Sequence, residues 1–230
     1  MTLLISSIAP ALIILYLIYR HDVDREPKKL LVKCFFGGWL SIILTLIITA
    51  PLNSASLPTG LVKSLFDAFV TAAIPEEFSK WIILYWLVRK APAFDQYYDG
   101  IIYAVFVSMG FALIENIMYV MNGDMTTVIT RAVMAVPGHM LFAVAMGYYF
   151  SMSKFDSPQK AKVHVAMSLA VPMVLHGTYD FLLMYTGAKS SHSPLMAVGI
   201  IIVFVIFDIY LWKLGIKRIK AHKAKDLGMG

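Results

Sequence analysis

Charged residues are scarce in this sequence: they make up 15% of its 230 residues, whereas 59% are hydrophobic. A soluble domain of this size would carry roughly a quarter charged residues. Apolar runs of about 20 residues recur along the chain, which is the length that an α-helix needs to cross ~30 Å of hydrocarbon. The composition therefore excludes an ordinary soluble domain and predicts an integral membrane protein.

Cysteine is almost absent as well. With Cys34 alone, the chain can form neither an internal disulfide nor a zinc site built from several cysteines. No basic residue precedes the first apolar run, so we interpret that run as a retained helix and not as a cleaved signal peptide. The sequence contains no evident soluble domain, repeat or low-complexity linker. We expect residues 1–230 to form a single integral membrane domain.

The apolar runs predict an all-α, polytopic protein with about seven membrane-spanning helices. Backbone polar groups in lipid must be satisfied within the spanning segment, and these runs are too long for the strands of a membrane barrel. The predicted spans are residues 2–19, 31–52, 64–87, 99–121, 129–152, 163–186 and 195–214. The connectors are short and rich in Pro, Gly, Ser and Asn, which suits turns at the membrane interface.

Lysine and arginine are distributed unevenly between the two sides that these spans define. One side takes 16 of the 20, since only Lys63, Arg131 and Lys189 lie on the other side and Lys80 lies within a span. The positive-inside rule then predicts an outside N-terminus and a cytoplasmic C-terminus. We attribute the net charge of +6, including the basic tail, to topology and to contact with the anionic lipid bilayer. We expect no nucleic-acid partner.

Seven ionisable residues lie well inside four of the predicted spans. A charged side chain at mid-membrane costs roughly 2.5–3.5 kcal/mol on insertion scales and usually faces a bundle interior or a wet cavity. The seven are Glu76, Glu77 and Lys80 in the third span, Glu115 in the fourth, His139 in the fifth, and His176 and Asp180 in the sixth. At ~1.5 Å per residue, five of them, Glu76, Glu77, Glu115, His139 and His176, fall between mid-membrane and the outer third. This agreement in depth predicts that four helices contribute to one polar cavity.

Prolines occur next to these polar groups. Pro75, Pro137 and Pro172 each stand one to four residues before one of them. An interior proline removes a backbone hydrogen bond and kinks the helix, and in lipid the freed carbonyl needs water or a polar neighbour. The prolines favour a hydrated cavity, although proline is also more frequent in membrane helices generally.

The spacing of the polar residues indicates how they interact. Adjacent helical residues point ~100° apart, so Glu76 and Glu77 cannot occupy one place. Lys80 follows them by four and three residues, which permits an ion pair with one glutamate while the other faces the cavity. His176 and Asp180 are four residues apart, a spacing that suits a carboxylate orienting an imidazole.

The residues alone leave several chemistries open. Two histidines and a carboxylate could form an open zinc site, and a carboxylate with a histidine could equally activate water without a metal. The same groups could be polar contacts between the helices of a scaffold, or the midplane site of an ion-coupled transporter. The H-E-x-x-H, G-x-S-x-G and G-x-G-D motifs of other intramembrane proteases are missing.

Four short motifs follow one another on successive predicted helices. They are E-E-x-x-K in "EEFSK", F-x-x-x-E-N in "FALIEN", a histidine ahead of a glycine in "GHMLFAVAMG", and H-x-x-x-D in "HGTYD". Together they resemble the PrsW family of intramembrane proteases, which is distantly related to the CAAX prenyl proteases. The resemblance covers about residues 60–184, more than half of the chain.

The resemblance implies a multi-pass protease of the bacterial cytoplasmic membrane whose substrate is a membrane-tethered protein, such as an anti-sigma factor cut at a first site. Its candidate catalytic residues are Glu76, Glu77, Glu115, His139 and His176, supported by Lys80 and Asp180. Family members are filed as metalloproteases, while related prenyl proteases have been argued to be metal-free glutamate proteases. Glu115 stands where the prenyl proteases carry a histidine, which argues against CAAX processing.

The leading hypothesis is therefore an intramembrane peptidase in which Glu77 or Glu76 is the general base on a water molecule. His139 and His176 would hold that water, either directly or through a zinc ion with Glu115 as the third ligand. Alternatively, His176 would donate to the developing oxyanion. An ion-coupled transporter and a non-catalytic membrane scaffold are the alternatives.

Overall fold

The computed structural model describes residues 2–22, 24–54, 56–121, 123–190 and 193–228, and these contain helices but no strand. The all-α prediction is confirmed. In chain order the helices are α1 (Thr2–Arg20), α2 (Lys28–Thr49), α3 (61–88), α4 (Tyr97–Met121), α5 (Met125–Phe155), α6 (Pro158–Ser190) and α7 (Pro194–Asp226). A short 3₁₀ turn, Leu52–Ser54, follows α2.

Five of these helices, α2, α4, α5, α6 and α7, are long and apolar enough to span a membrane. In α1 the apolar helix is shorter, Ser6–Arg20. Helix α3 carries Glu76, Glu77 and Lys80 near its middle, so its composition alone does not mark it as a span. The chain is a multi-pass membrane protein with five candidate spans, while a span at α1 or α3 stays a prediction.

The connectors predicted on the basic side lie together at one end of the bundle, which we call the basic end. Arg89, after α3, donates to Oγ of Ser153 near the end of α5, at 2.8 Å. Lys223, near the end of α7, donates to the carbonyl oxygen of His21 after α1, at 2.6 Å. Asp226 accepts hydrogen bonds from the first two backbone N–H groups of α4. These contacts agree with the predicted alternation of the helices, and the side of the membrane that the basic end faces stays a prediction.

Helix α4 forms the centre of the bundle, and glycines allow its neighbours to approach closely. A Cβ atom at Gly110 would lie 1.9 Å from a backbone carbonyl oxygen of α2, and one at Gly147 of α5 would lie 2.3 Å from the carbonyl oxygen of Gly100. Small residues at membrane helix crossings bring backbones close enough for extensive dispersion contacts. This packing holds α4 against α5 and so fixes the relative position of Glu115 and His139.

Helices α3 and α5 each contain a π-helical segment just before a proline, Phe66–Ala73 in α3 and Arg131–Ala135 in α5. The residue before each proline donates its N–H five residues back, from Ile74 to Phe69 and from Val136 to Arg131. In an α-helix the proline ring clashes with the carbonyl group four residues back, and the wider π turn accommodates it. The structure thus adds π turns to the expected irregularity at Pro75 and Pro137, whereas Pro172 lies inside a continuous α-helix.

Candidate active site

The seven ionisable residues that the sequence placed inside the spans form a continuous set of polar contacts between α3, α4, α5 and α6. Each of these helices contributes at least one member. Four helices with charged or titratable side chains therefore converge on one point inside the bundle, and we call this set the polar cluster. The contacts of each member decide what chemistry the cluster can perform.

Matching local geometry in α3 and α5 positions two members of the polar cluster. In both helices a π segment ends at an alanine, an aliphatic residue and a proline follow, and the functional residue stands two positions after the proline. The functional residue is Glu77 in α3 and His139 in α5. Because π turns break the regular backbone ladder, they are often found at functional sites. The repeated pattern, "AIPEE" and "AVPGH", is visible in the sequence once the structure has drawn attention to it.

Lys80 lies at the centre of the polar cluster, and its side chain is 1% exposed. Its Nζ lies 2.8 Å from Oε1 of Glu77 and 3.3 Å from Oε2 of Glu76. The same Nζ lies 3.2 Å from Nδ1 of His139 and 4.0 Å from the centre of the Phe111 ring. A buried ammonium group is strongly unfavourable unless its charge is compensated, and here two carboxylates compensate it. Lys80 therefore contacts both glutamates, whereas the spacing had suggested only one.

The two adjacent glutamates have different surroundings. Glu76 is 12% exposed and lines a cavity, whereas Glu77 is 1% exposed and does not. Oε1 of Glu77 lies between Nζ of Lys80, at 2.8 Å, and Nδ1 of His176, at 3.0 Å. Glu77 thus joins α3 to α6 inside the protein, and Glu76 is the glutamate that a molecule in the cavity can reach.

The imidazole of His139 lies between a cation and an anion. Its Nε2 is 2.8 Å from Oε2 of Glu115, and its Nδ1 faces Nζ of Lys80. Because an ammonium group only donates and an ionised carboxylate only accepts, these partners place the ring proton on Nε2 and the lone pair on Nδ1. That lone pair points into the polar cluster, where it can accept a hydrogen bond or bind a cation.

The imidazole of His176 has a carboxylate at each nitrogen. Nδ1 faces Glu77 at 3.0 Å, and Nε2 faces Oδ2 of Asp180 at 3.2 Å, the contact that the four-residue spacing suggested. The Phe142 ring stacks on the imidazole with the ring centres 4.7 Å apart and 16° between the planes. The ring is therefore held in one orientation, in which it can carry a proton between the buried Glu77 and the cavity-lining Asp180.

A cavity of about 420 Å³ opens beside the polar cluster, toward the end of the bundle opposite the basic end. Its polar lining residues include Glu76, Glu115, His139, His176 and Asp180, and its remaining lining is mostly apolar. A mainly apolar pocket with a few converging polar groups is the usual form of a binding or catalytic site. The cavity is large enough for a short extended peptide segment and water to reach the polar cluster.

Arg131 also lines this cavity, and the sequence reasoning missed it as a site residue. Its Nη2 lies 2.8 Å from Oε2 of Glu115, and its Nε donates to Oδ1 of Asn116 at 2.7 Å. Its guanidinium group also lies 4.0 Å from the centre of the Tyr119 ring. The adjacent Glu and Asn of the F-x-x-x-E-N motif thus share one arginine. The available signal was that Arg131 is one of only three basic residues on its side of the predicted topology.

Four members of the polar cluster could hold a metal ion. One ligand atom each from Glu76, Glu77, His139 and His176 lies within 4.8 Å of the others. Imidazole nitrogens and carboxylate oxygens are ligands that zinc accepts in catalytic sites. Nζ of Lys80 already contacts three of the four groups, so a metal ion bound here would compete with the ammonium group for them.

The surroundings of the two imidazoles also fit a metal centre. A histidine that binds a metal commonly donates its other N–H to a carboxylate, which orients the ring. Glu115 at His139 and Asp180 at His176 are placed in this way. Glu115, the third ligand expected from the sequence, therefore lies behind the imidazole of His139 and is not one of the four groups that lie together.

Comparison with known proteins places the chain among membrane proteases. Residues 26–209 match the model of the family described as PrsW family intramembrane metalloprotease. Protease PrsW from Geobacillus kaustophilus is 34% identical over 224 residues, which cover 96% of this chain and 92% of that protein. Protease PrsW from Bacillus subtilis is 34% identical over 226 residues, covering 97% and 96%, and that from Clostridioides difficile is 34% identical over 227 residues, covering 96% and 91%. No solved structure matches the chain.

Proposed function

This chain belongs to the PrsW family of intramembrane metalloproteases, and we propose that it makes a first cut in a membrane-tethered protein with a single span, such as an anti-sigma factor. The chain is thus a protease that acts on a protein substrate within a membrane. The observation that carries the proposal is the cavity between α3, α4, α5 and α6, which has two histidines and a reachable glutamate in its wall. We propose the bacterial cytoplasmic membrane as its location, with the basic end in the cytoplasm and the cavity toward the outer leaflet.

We assign the role of general base to Glu76. It is the glutamate that lines the cavity, and Lys80 beneath it compensates the charge of its carboxylate. In this role Glu76 accepts a proton from a water molecule as the water oxygen attacks the carbonyl carbon of the scissile bond. The proton then passes to the departing amine nitrogen as the carbon–nitrogen bond breaks. A positioned general base or acid contributes typically 10²–10⁴-fold to the rate.

We assign Glu77 and His176 to positioning and charge stabilisation. Glu77 holds both Lys80 and His176 from the buried side. His176 lines the cavity and contacts Glu77 and Asp180 through its two ring nitrogens, so these two carboxylates hold its ring beside the place where the oxyanion forms during attack.

We propose that Glu77, His139 and His176 also hold the zinc ion expected of a metalloprotease, which leaves Glu76 free as the base and a fourth position open for water. A zinc ion bound there would polarise the scissile carbonyl and lower the pKa of a bound water to about 7. The protein would contribute the lone pair of His139 on Nδ1, the carboxylate of Glu77, and the fixed orientation of both imidazoles by Glu115 and Asp180.

Metal analysis tests this part of the proposal independently of activity. We expect protein purified without chelator and dialysed against zinc to retain about one zinc per chain, measured by mass spectrometry of the element. His139→Ala and His176→Ala remove a nitrogen ligand each and are expected to lower the zinc content at least tenfold. His164→Gln, which alters a buried histidine at the basic end, is the matched control and should retain the metal. Full proteolytic activity of a zinc-free wild-type protein would instead support a metal-free glutamate mechanism.

Proteolysis itself is tested with a tagged single-span substrate in proteoliposomes or by co-expression. We expect the wild type to release two fragments, and Glu77→Gln and His139→Ala to lower the cleavage rate at least 100-fold while inserting at wild-type levels. Lys189→Gln, which removes a charge outside the cavity lining, should cleave normally. Unchanged cleavage by both site variants would contradict the proposal. Solute flux without cleavage would favour the transporter alternative.

A further inference from the structure

A second cavity, of about 450 Å³, extends toward the basic end of the bundle and shares no lining residue with the first. It lies between α1, α5 and α7, and Tyr98 at the start of α4 closes part of it. None of the residues proposed for catalysis lines it. The proposed catalytic function therefore does not account for this second cavity.

The shape of this cavity is that of a groove running along α7. Its lining residues on α7 extend from Trp212 to Lys223, which is ~16 Å at the rise of an α-helix. Gly215 leaves space at the base of the groove, because a Cβ atom at this position would lie only 2.7 Å from Cδ2 of Leu141. Along most of this length the wall is aliphatic or aromatic, so the groove suits a hydrocarbon chain.

One end of the groove carries positive charge. Lys220 and Lys223 lie there beside His21. Lys223 uses one N–H to hold the carbonyl oxygen of His21, so two donors of its ammonium group stay available. No carboxylate lines the groove among the residues that the structure describes. Three nearby carboxylates, Asp22, Asp24 and Asp226, line a separate, smaller cavity that shares Tyr98 and Lys223 with the groove.

We propose that this groove binds one anionic phospholipid, with an acyl chain along α7 and its phosphate at Lys220 and Lys223. Charge complementarity favours this occupant, because an apolar channel that ends in lysines matches an acyl chain that ends in a phosphate. The position also agrees, since the lysines are at the basic end, where the headgroups of one leaflet would lie, and the apolar wall extends toward mid-membrane. A transmembrane helix of another protein would leave these lysines without an anionic partner.

Native mass spectrometry of the detergent-purified full chain tests the proposal. Phosphatidylglycerol and phosphatidylcholine of equal chain length are added, and we expect one phosphatidylglycerol to be retained at least tenfold more than phosphatidylcholine. The double variant Lys220→Gln/Lys223→Gln should lose that preference. Lys213→Gln/Lys217→Gln removes the same charge from exposed positions of α7 outside the groove, and should keep it.

A third variant separates loss of the site from loss of the fold. Gly215→Leu fills the groove without changing charge, and should reduce retention of phosphatidylglycerol while proteolysis of the tagged substrate persists. Lys220→Gln alone avoids the contact between Lys223 and His21, and should lower retention by itself. Equal losses from the two lysine pairs, or equal retention of the two lipids by the wild type, would overturn the proposal, because both results describe unspecific lipid around the bundle.

Discussion

Glu76→Gln is expected to lower kcat by 10²–10⁴-fold, the usual contribution of a positioned base, and to leave KM and the melting temperature close to the wild type. The amide has the shape of the carboxylate and its oxygen can still accept from Lys80, but it cannot take a proton from water. Glu76 lines the cavity, so little packing changes. Initial rates with a tagged substrate in proteoliposomes, together with thermal unfolding in detergent, measure both quantities.

The same substitution at the neighbouring glutamate, Glu77, provides the comparison for Glu76→Gln. Glu77→Gln removes charge from a fully buried position where one oxygen contacts both Lys80 and His176. Breaking a buried ion pair by removing one partner is destabilising by up to about 3–5 kcal/mol. We therefore expect Glu77→Gln to lose thermal stability as well as activity. If Glu77→Gln kept its melting temperature and was inactive while Glu76→Gln retained activity within tenfold, the two roles would be exchanged.

Arg131→Gln is expected to lower kcat by roughly 10–100-fold, the usual effect of losing a residue that orients a ligand or catalytic group. Without the guanidinium group, Glu115 loses the ion pair that complements its contact with Nε2 of His139. Since Arg131 is proposed to act through Glu115, kcat should fall while KM changes little. Steady-state kinetics with the tagged substrate measure the two separately.

Two further variants distinguish this role of Arg131 from simple charge or packing. Arg131→Lys keeps the charge, but an ammonium group cannot replace the planar guanidinium group, whose Nη2 and Nε contact Glu115 and Asn116. This variant should therefore recover only part of the activity. Lys189→Gln, which removes a positive charge outside the cavity lining, should have no effect. A rise in KM with unchanged kcat would contradict a positioning role and indicate that Arg131 binds the substrate directly.

Much of the candidate site could be predicted because charge is conspicuous in apolar spans. Glu115 and His176 stand out in the sequence for this reason, and counting residues along helices was enough to place them at one depth. Arg131 escaped the same argument because it stands two residues into its predicted span, where a long basic side chain ordinarily reaches the interface. Only its contact with Glu115 shows that the side chain points inward.

The grouping of the carboxylates around the imidazoles could not be read from the sequence. Sequence spacing predicts contacts between side chains on the same helix, and it correctly predicted the contact between His176 and Asp180. The contacts of His139 with Lys80 on α3 and Glu115 on α4 depend on how neighbouring helices are rotated about their axes, which small residues at the crossings decide. The expectation that Glu115 would be a direct metal ligand rested on its depth and on the family resemblance, and neither shows on which side of the imidazole a carboxylate lies.

The sequence by itself indicated a membrane protein, its helical class, its resemblance to the PrsW family and a shared depth for most of its buried polar residues, because hydropathy and the rise of a helix are properties of the chain. The tertiary structure decided which of those residues touch. It separated the reachable Glu76 from the buried Glu77, put Lys80 between them and His139, and brought Arg131 into the cavity. These relations depend on helix rotation, on the π turns ahead of Pro75 and Pro137, and on close approach at glycines, all of which arise from packing between segments far apart in the sequence.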